Sequence, residues 1–277
     1  MGKRVLVIGG LGLLAVAVIA LIRGGPRQQG VAREIERALW TPGPRETFRT
    51  EMVDALPEPA RRYLLHAIRP GTLLANAVRL TIRGEVLLKR GADPMPMDGV
   101  ETLSLRGYVW RARLSGTLAW IRGHDAYFKG RATLEWLLWG RLALVRASDA
   151  ATARSAAGRL ALEAVVWLPS VLLTAPGVTW EATGPDAVRV TLPVDRWRFA
   201  VDLTVDQDGR LLQVAGLRWG NHTDDGKYAD IPFGAEILEE GTFGGYTVPT
   251  RLVAGWWFGT DKFDRFFRPV VEDAEYL

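Results

Sequence analysis

The spacing of apolar residues changes at Val78. Upstream it is helical. Val31 to Trp40 reads as a short helix that Thr41-Pro42-Gly43-Pro44 ends, after a flexible stretch from Gly24-Gly25-Pro26 to Gly30. Leu56-Pro57-Glu58-Pro59 opens a second helix, Ala60 to Ile68, with proline in its first turn, Tyr63, Leu64 and Ala67 on one face, and Pro70-Gly71 as the stop. From Val78 onward the period falls to two, the repeat of a half-buried strand: Val78, Leu80 and Ile82 alternate with Arg79, Thr81 and Arg83. Leu103 and Leu105 alternate with Ser104 and Arg106, and Tyr108 to Leu114 continues that strand; Gly91 to Gly99, holding Pro94 and Pro96, is the expected loop before it. Trp120-Ile121 and Ala126 to Phe128 flank Gly123-His124-Asp125, which has the composition of a short turn. Leu134 to Val145 is almost wholly apolar, and its period assigns neither helix nor strand.

Helical spacing returns once. Ser148 or Asp149 can cap a helix over Ala150 to Leu168, with Leu160, Glu163, Ala164 and Trp167 on one face and Pro169 disrupting its continuation. Alternation then resumes through Val188, Val190 and Leu192 and through Phe199, Val201, Leu203 and Val205; Asp206-Gln207-Asp208-Gly209 connects to Leu211 to Trp219. Ile231 to Leu238, Phe243 to Val248 and Leu252 to Phe258 complete a set of about ten strands at hairpin spacing. The predicted class is α+β: a curved, half-barrel-like antiparallel sheet with one helix before it and one inserted mid-chain.

The first residues stand apart. Val5 to Ile22 is an uncharged apolar run between Lys3-Arg4 and Arg23, about 27 Å long as a helix and close to the thickness of a bilayer core. A signal peptide is the alternative, but the one small-x-small triplet, Ala15-Val16-Ala17, lies inside the run. The expected organisation is a transmembrane anchor over 1–24, a linker with a short helix over 25–55, and one β-rich domain over 56–277. Short basic tails usually stay in the cytoplasm, which favours an extracytoplasmic domain, although Arg23, Arg27, Arg33 and Arg37 pull the other way.

Composition narrows the chemistry. There is no cysteine, which excludes disulfides, thiolate metal sites and a thiol nucleophile. The net charge of +4 comes with arginines scattered singly between apolar residues (Arg79, Arg83, Arg106, Arg111, Arg113, Arg189), the look of solvent-facing strand positions and not of a nucleic-acid stripe. Eleven tryptophans are unusual, and they fit either a core of large rings or an aromatic-lined cavity. Were the sheet to enclose a cavity, its expected ligand-binding residues are Trp110, Tyr127, Trp136, Arg159, Glu163, Trp167, Trp180 and Trp219. Glu163 needs a cation such as Arg159 or Arg111 if its helix face is buried.

Catalytic patterns are sparse. The three histidines, His66, His124 and His222, have no metal-binding spacing, no phosphate loop or nucleophile elbow occurs, and no cofactor is implied. His124-Asp125 reads as a turn in which the aspartate bonds backbone. Asn221-His222-Thr223-Asp224-Asp225 with Asp230 reads as a solvated loop, with hard-cation binding as the sharper alternative.

Several stretches carry a likeness: Leu56-Pro57-Glu58-Pro59-Ala60-Arg61-Arg62-Tyr63-Leu64, Tyr108-Val109-Trp110-Arg111-Ala112-Arg113, His124-Asp125-Ala126-Tyr127 with Gly130, and Arg159 to Trp180. As a set they resemble an uncharacterised bacterial family of unknown function, over most of Leu56 to Leu277. Where that family often has an arginine-tyrosine pair in the middle helix, this chain has Arg159-Leu160. The order of elements is also similar to the half-barrel of periplasmic lipoprotein carriers, an architectural analogy only. Three functional readings follow. The first is a non-enzymatic binder of a lipid or other apolar molecule in the cell envelope, held to the membrane by its N-terminal helix. The second is a structural or interaction domain presenting sheet edges. The third is a hydrolase-type enzyme drawing on Asp125, His124, Glu163 or the Asp224 cluster, at least two of them in one pocket.

Overall fold

The computed structural model describes residues 25–42 and 46–277. The apolar run Val5 to Ile22 lies outside them, and among the described residues no helix is long and apolar enough to cross a membrane. The chain is α+β, built on one open antiparallel sheet of thirteen strands, three more than the alternation suggests. In chain order α1 (Gly25–Leu39), a 3₁₀ turn (Thr50–Val53) and α2 (Glu58–Ala67) precede the first limb, β1 (Ala77–Val86), β2 (Met95–Ser104), β3 (Gly107–Ser115), β4 (Trp120–Phe128), β5 (Arg131–Leu138) and β6 (Leu142–Ala147). Then α3 (Ala150–Trp167) and α4 (Val171–Thr174) lead to the second limb, β7 (Thr179–Gly184), β8 (Ala187–Val194), β9 (Trp197–Val205), β10 (Leu211–Gly220), β11 (Ala229–Phe243), β12 (Tyr246–Trp256) and β13 (Asp264–Tyr276).

Each limb is a run of hairpins. They meet where β1 pairs β13, so the sheet order is 6-5-4-3-2-1-13-12-11-10-9-8-7, and β6 and β7 are the two edges. The helix between those edges must cross the whole sheet. Accordingly α3 packs against strands of both limbs, and the face that receives it is called the inner face below. The limbs also touch directly: Tyr127 on β4 donates to Asp195 in the β8–β9 turn at 2.5 Å.

Asp149 caps α3 by accepting from the Thr152 amide at 2.7 Å. Ala153, Ala156, Ala157, Leu160, Ala161, Ala164 and Val165 are all buried, so the helix is enclosed nearly all round and not on one face alone. Its last turn is pinned by polar bonds: Trp167 Nε1 to the Pro249 carbonyl (3.0 Å), Tyr276 Oη to the Trp167 carbonyl (3.0 Å) and Tyr63 Oη to the Val165 carbonyl (2.5 Å). The last bond seats α2, whose Tyr63, Leu64 and Ala67 join the same core. On the outer face, α1 lays Ala32 and Leu39 against Val109 and Ala126, with Glu36 paired to Arg111 at 3.0 Å.

Several local readings need correction. The stretch from Gly25 is not a flexible lead but the start of α1, with Pro26 in its first turn, where a missing N–H costs nothing. Met95 to Gly99 is not loop: it pairs with β1 and β3. Leu103 to Leu114 is two strands, turned at Leu105-Arg106. The apolar run from Leu134 is also a hairpin, with a three-residue connection, Trp139-Gly140-Arg141, whose turn is closed by the Arg141 amide on the Leu138 carbonyl and has Trp139 and Gly140 both at positive φ (50° and 66°). Phe243 to Val248 is no strand of its own; Gly244-Gly245 is the turn between two longer strands.

Gly123-His124-Asp125 is not a turn but the middle of β4. Gly123 serves another purpose there. A Cβ on it would stand 2.6 Å from the Trp136 ring and 2.1 Å from the Glu135 carbonyl oxygen, so its absence seats the Trp136 indole flat on the neighbouring strand.

Candidate functional site

Strand periodicity decides which side chains meet α3. On the inner face Glu101 (β2), Trp110 (β3), Asp125 (β4) and Trp136 (β5) converge on Arg159, one turn before Glu163. Each nitrogen of Arg159 bonds a carboxylate: Nε to Glu163 Oε1 at 2.7 Å, one terminal nitrogen to Asp125 Oδ2 at 3.2 Å, the other to Glu101 Oε1 at 3.0 Å. Its guanidinium also lies over the Tyr108 and Trp110 rings, 4.5 and 5.1 Å from their centroids. Asp125 takes a second bond, from Trp136 Nε1 at 2.7 Å, which the seat at Gly123 makes reachable.

Three carboxylates around one cation exceed what it can neutralise. Glu101 is fully buried, and burial first, then the Glu163 charge, push its pKa well above the usual carboxylate range, against the pull of Arg159. Glu101 Oε2 and Glu163 Oε2 are both buried without any partner when both groups are ionised. A proton on Glu101, donated to Glu163, satisfies both oxygens.

Beside this cluster a cavity of about 860 Å³ opens between α3 and the inner face. Aromatic rings dominate its wall: Trp110, Trp136, Trp167, Phe233, Trp256 and Phe267. Trp110 meets Trp136 at 5.1 Å and Phe267 at 5.8 Å between ring centroids. The exposed Lys89, Arg90, Asp224 and Lys262 stand at its rim, the last two paired at 3.1 Å. His222 stacks on Trp256 at 4.2 Å, and burial, then Arg218, hold its imidazole below the usual pKa. Arg218 on β10 also lines the cavity, its stem bonded to the Ser155 carbonyl of α3.

Of the expected residues, Trp110, Trp136, Arg159, Glu163 and Trp167 line this cavity. Tyr127, Trp180 and Trp219 lie elsewhere. Tyr127 is the buried tie between the limbs, Trp180 packs against the core from the edge strand β7, and Trp219 stacks on Tyr228 at 5.9 Å with Arg154 above it. Glu163 takes Arg159 as its cation, while Arg111 is on the outer face with Glu36. His124 and Asp125, adjacent in one strand, face opposite ways: His124 is buried on the outer side next to Glu135, so it cannot be oriented by Asp125. Asp224 and His222 reach the rim, yet no cluster that could hold a metal occurs among the described residues.

Glu101, Arg218, Phe233, Trp256 and Phe267 were not singled out by the sequence. Arg218 is hidden by reversed polarity: in Leu217-Arg218 the leucine is 59% exposed and the arginine faces inward.

The family comparison fits this layout. A model of a family of unknown function (DUF6544) matches residues 46–268, and the chain belongs to that family. The match spans both limbs, α3 and every element of the cavity wall. Among curated proteins none matches the chain.

Proposed function

We propose that the domain is a non-enzymatic carrier or receptor for an apolar molecule with at least one long hydrocarbon or aromatic part. The aromatic cavity between α3 and the sheet carries this reading. Its volume falls within the roughly 300–1,000 Å³ of small-molecule sites, and its wall has the mix of apolar surface and a few fixed polar groups that such sites show. A half-barrel sheet whose groove holds a helix gives the ligand one mouth and a wall of rings. The apolar run Val5 to Ile22 supports placing the domain at a membrane, on its extracytoplasmic side, where such a ligand is abundant.

Photoactivatable hydrocarbon probes test this on the full chain in native membranes. Crosslinks are expected in peptides carrying Trp110, Trp136 and Phe267, and enlarging Ala235 to tryptophan should suppress them by filling the cavity. Crosslinks confined to residues 1–24, or none at all, would sink the reading.

A second reading rests on the proton held between Glu101 and Glu163 beside the cavity, an arrangement that acid–base chemistry can use. It requires that Glu163→Gln abolish turnover of a captured ester or glycoside while the probes still bind; capture without turnover by the unaltered chain favours the carrier.

A further inference from the structure

We propose that the ligand is an anionic amphiphile, its carboxylate or phosphate group held by Arg218 and its apolar part lying along the ring-lined wall. This deepens the carrier reading and rests on it. Arg218 is fixed but not satisfied. Its Nε donates to the Ser155 carbonyl at 3.1 Å, which anchors the stem to α3. Its guanidinium carbon lies over Phe233 and Trp256, 4.8 and 4.9 Å from their centroids, so the planar group is oriented by rings on two neighbouring strands. No protein group accepts from its two terminal nitrogens among the described residues, and no carboxylate lies within the 4.0 Å ion-pair distance. The fork therefore presents four N–H donors to the cavity, the set that pairs with a carboxylate or phosphate in bidentate fashion.

The surrounding charges leave this position for a ligand. Asp125 and Glu163 act on Arg218 through space, but both are hydrogen-bonded to Arg159. Asp224 at the rim is paired with Lys262. Asp264, the other acid of the wall, acts on the His222 ring and makes no ion pair with Arg218. Burial pushes the Arg218 pKa down to about 10, so the group remains cationic at neutral pH. An anion there pairs with the open fork, and the Phe233, Trp256 and Phe267 rings accept the chain attached to it.

The test uses four diazirine-labelled probes with one alkyl tail and different heads: carboxylate, phosphate monoester, primary alcohol and methyl ester. Each is photolysed with the full chain in native membranes, and occupancy is read at cavity peptides. The expected result is at least a tenfold preference for one or both anionic probes over both neutral ones, and which anion wins identifies a fatty-acid or a phospholipid-like source. In Arg218→Met the preference should fall to unity while neutral-probe occupancy persists; Arg218→Lys, which keeps charge without the fork, should retain part of it. Equal occupancy of anionic and neutral probes in the unaltered cavity overturns the anion assignment and leaves the carrier reading standing. Absence of every probe from the cavity overturns the carrier reading itself. Should Arg218→Met fail to fold, the four-probe series on the unaltered chain and on Arg218→Lys decides the matter alone.

Discussion

Two arginines, Arg159 on α3 and Arg218 on a strand that α3 packs against, face one cavity, and they differ in what surrounds them. Arg159, on the helix, bonds three carboxylates, one from each of its three nitrogens, and lies against two rings. Arg218, on the sheet, is held at its stem by one backbone carbonyl and keeps its terminal nitrogens open. A buried cation with every nitrogen bonded to a carboxylate ties structure together, since removing it strands the charges it held. One with its donors open contributes little to folding and is available for recognition. Arg159 is buried and Arg218 half-buried, but it is their partners that set the two apart.

The largest break in that contrast is expected from Arg159→Met. It leaves Glu101, Asp125 and Glu163 buried without a cation, and loss of one partner of a buried ion pair costs about 3–5 kcal/mol, to be read as a lower urea midpoint. Next comes pH. Glu101 holds its proton in the folded chain above the ordinary carboxylate value of 4.5, so its contribution to stability is complete below that pH. As pH rises from there towards the raised folded pKa, the unfolded chain loses the proton first and stability falls by up to about 1.4 kcal/mol per pH unit. Glu101→Gln should flatten that dependence in denaturation curves taken across the range. Asp149→Ala removes the acceptor for the Thr152 amide at the start of α3 and should cost about 1 kcal/mol, seen as a small drop in midpoint with unchanged denaturant slope. The smallest change is expected from Arg218→Met, which strands no ion-pair partner and keeps a similar apolar stem: stability within about 1 kcal/mol of the parent. A loss comparable to that of Arg159→Met would erase the distinction.

Much of the sheet was readable in the sequence because alternation is sharp where one face is buried, as at Val78, Leu80 and Ile82. Most of the scattered arginines are solvent-facing for the same reason, Arg83, Arg106, Arg111, Arg113 and Arg189 being exposed, whereas Arg79 is half-buried over the Trp40 ring. Alternation fails where both faces are covered or where chemistry outranks it. Glu101 lies in a stretch of β2 in which Glu101, Thr102, Leu103 and Ser104 are all buried, between α3 on one side and α1 on the other, so no period marks it. Gly123 suggested a turn because glycine usually breaks strands, whereas here it makes room for an indole. β13 went unread because Pro269 interrupts it; opposite that proline stands Gly84, at φ 142°, where a Cβ would clash with the Arg268 carbonyl oxygen at 2.1 Å. The cluster about Arg159 was half legible: Glu163 is one helical turn away, while Glu101 and Asp125 come to it only through strand order.

The β1–β13 seam has a consequence for how the protein is made. Its partners are separated by almost the whole domain, Val78 lying opposite Tyr276. During vectorial synthesis the hairpins of each limb can zip as they emerge, but the long loop bridged by the seam closes only after the last strand leaves the ribosome. Until then the sheet has no continuous path between its limbs, which are joined through α3 and the Tyr127–Asp195 bond. The ligand chamber, whose wall includes Asp264, Phe266 and Phe267 of β13, is therefore completed late, and a nascent chain stalled short of β13 should bind the probes more weakly than the full chain.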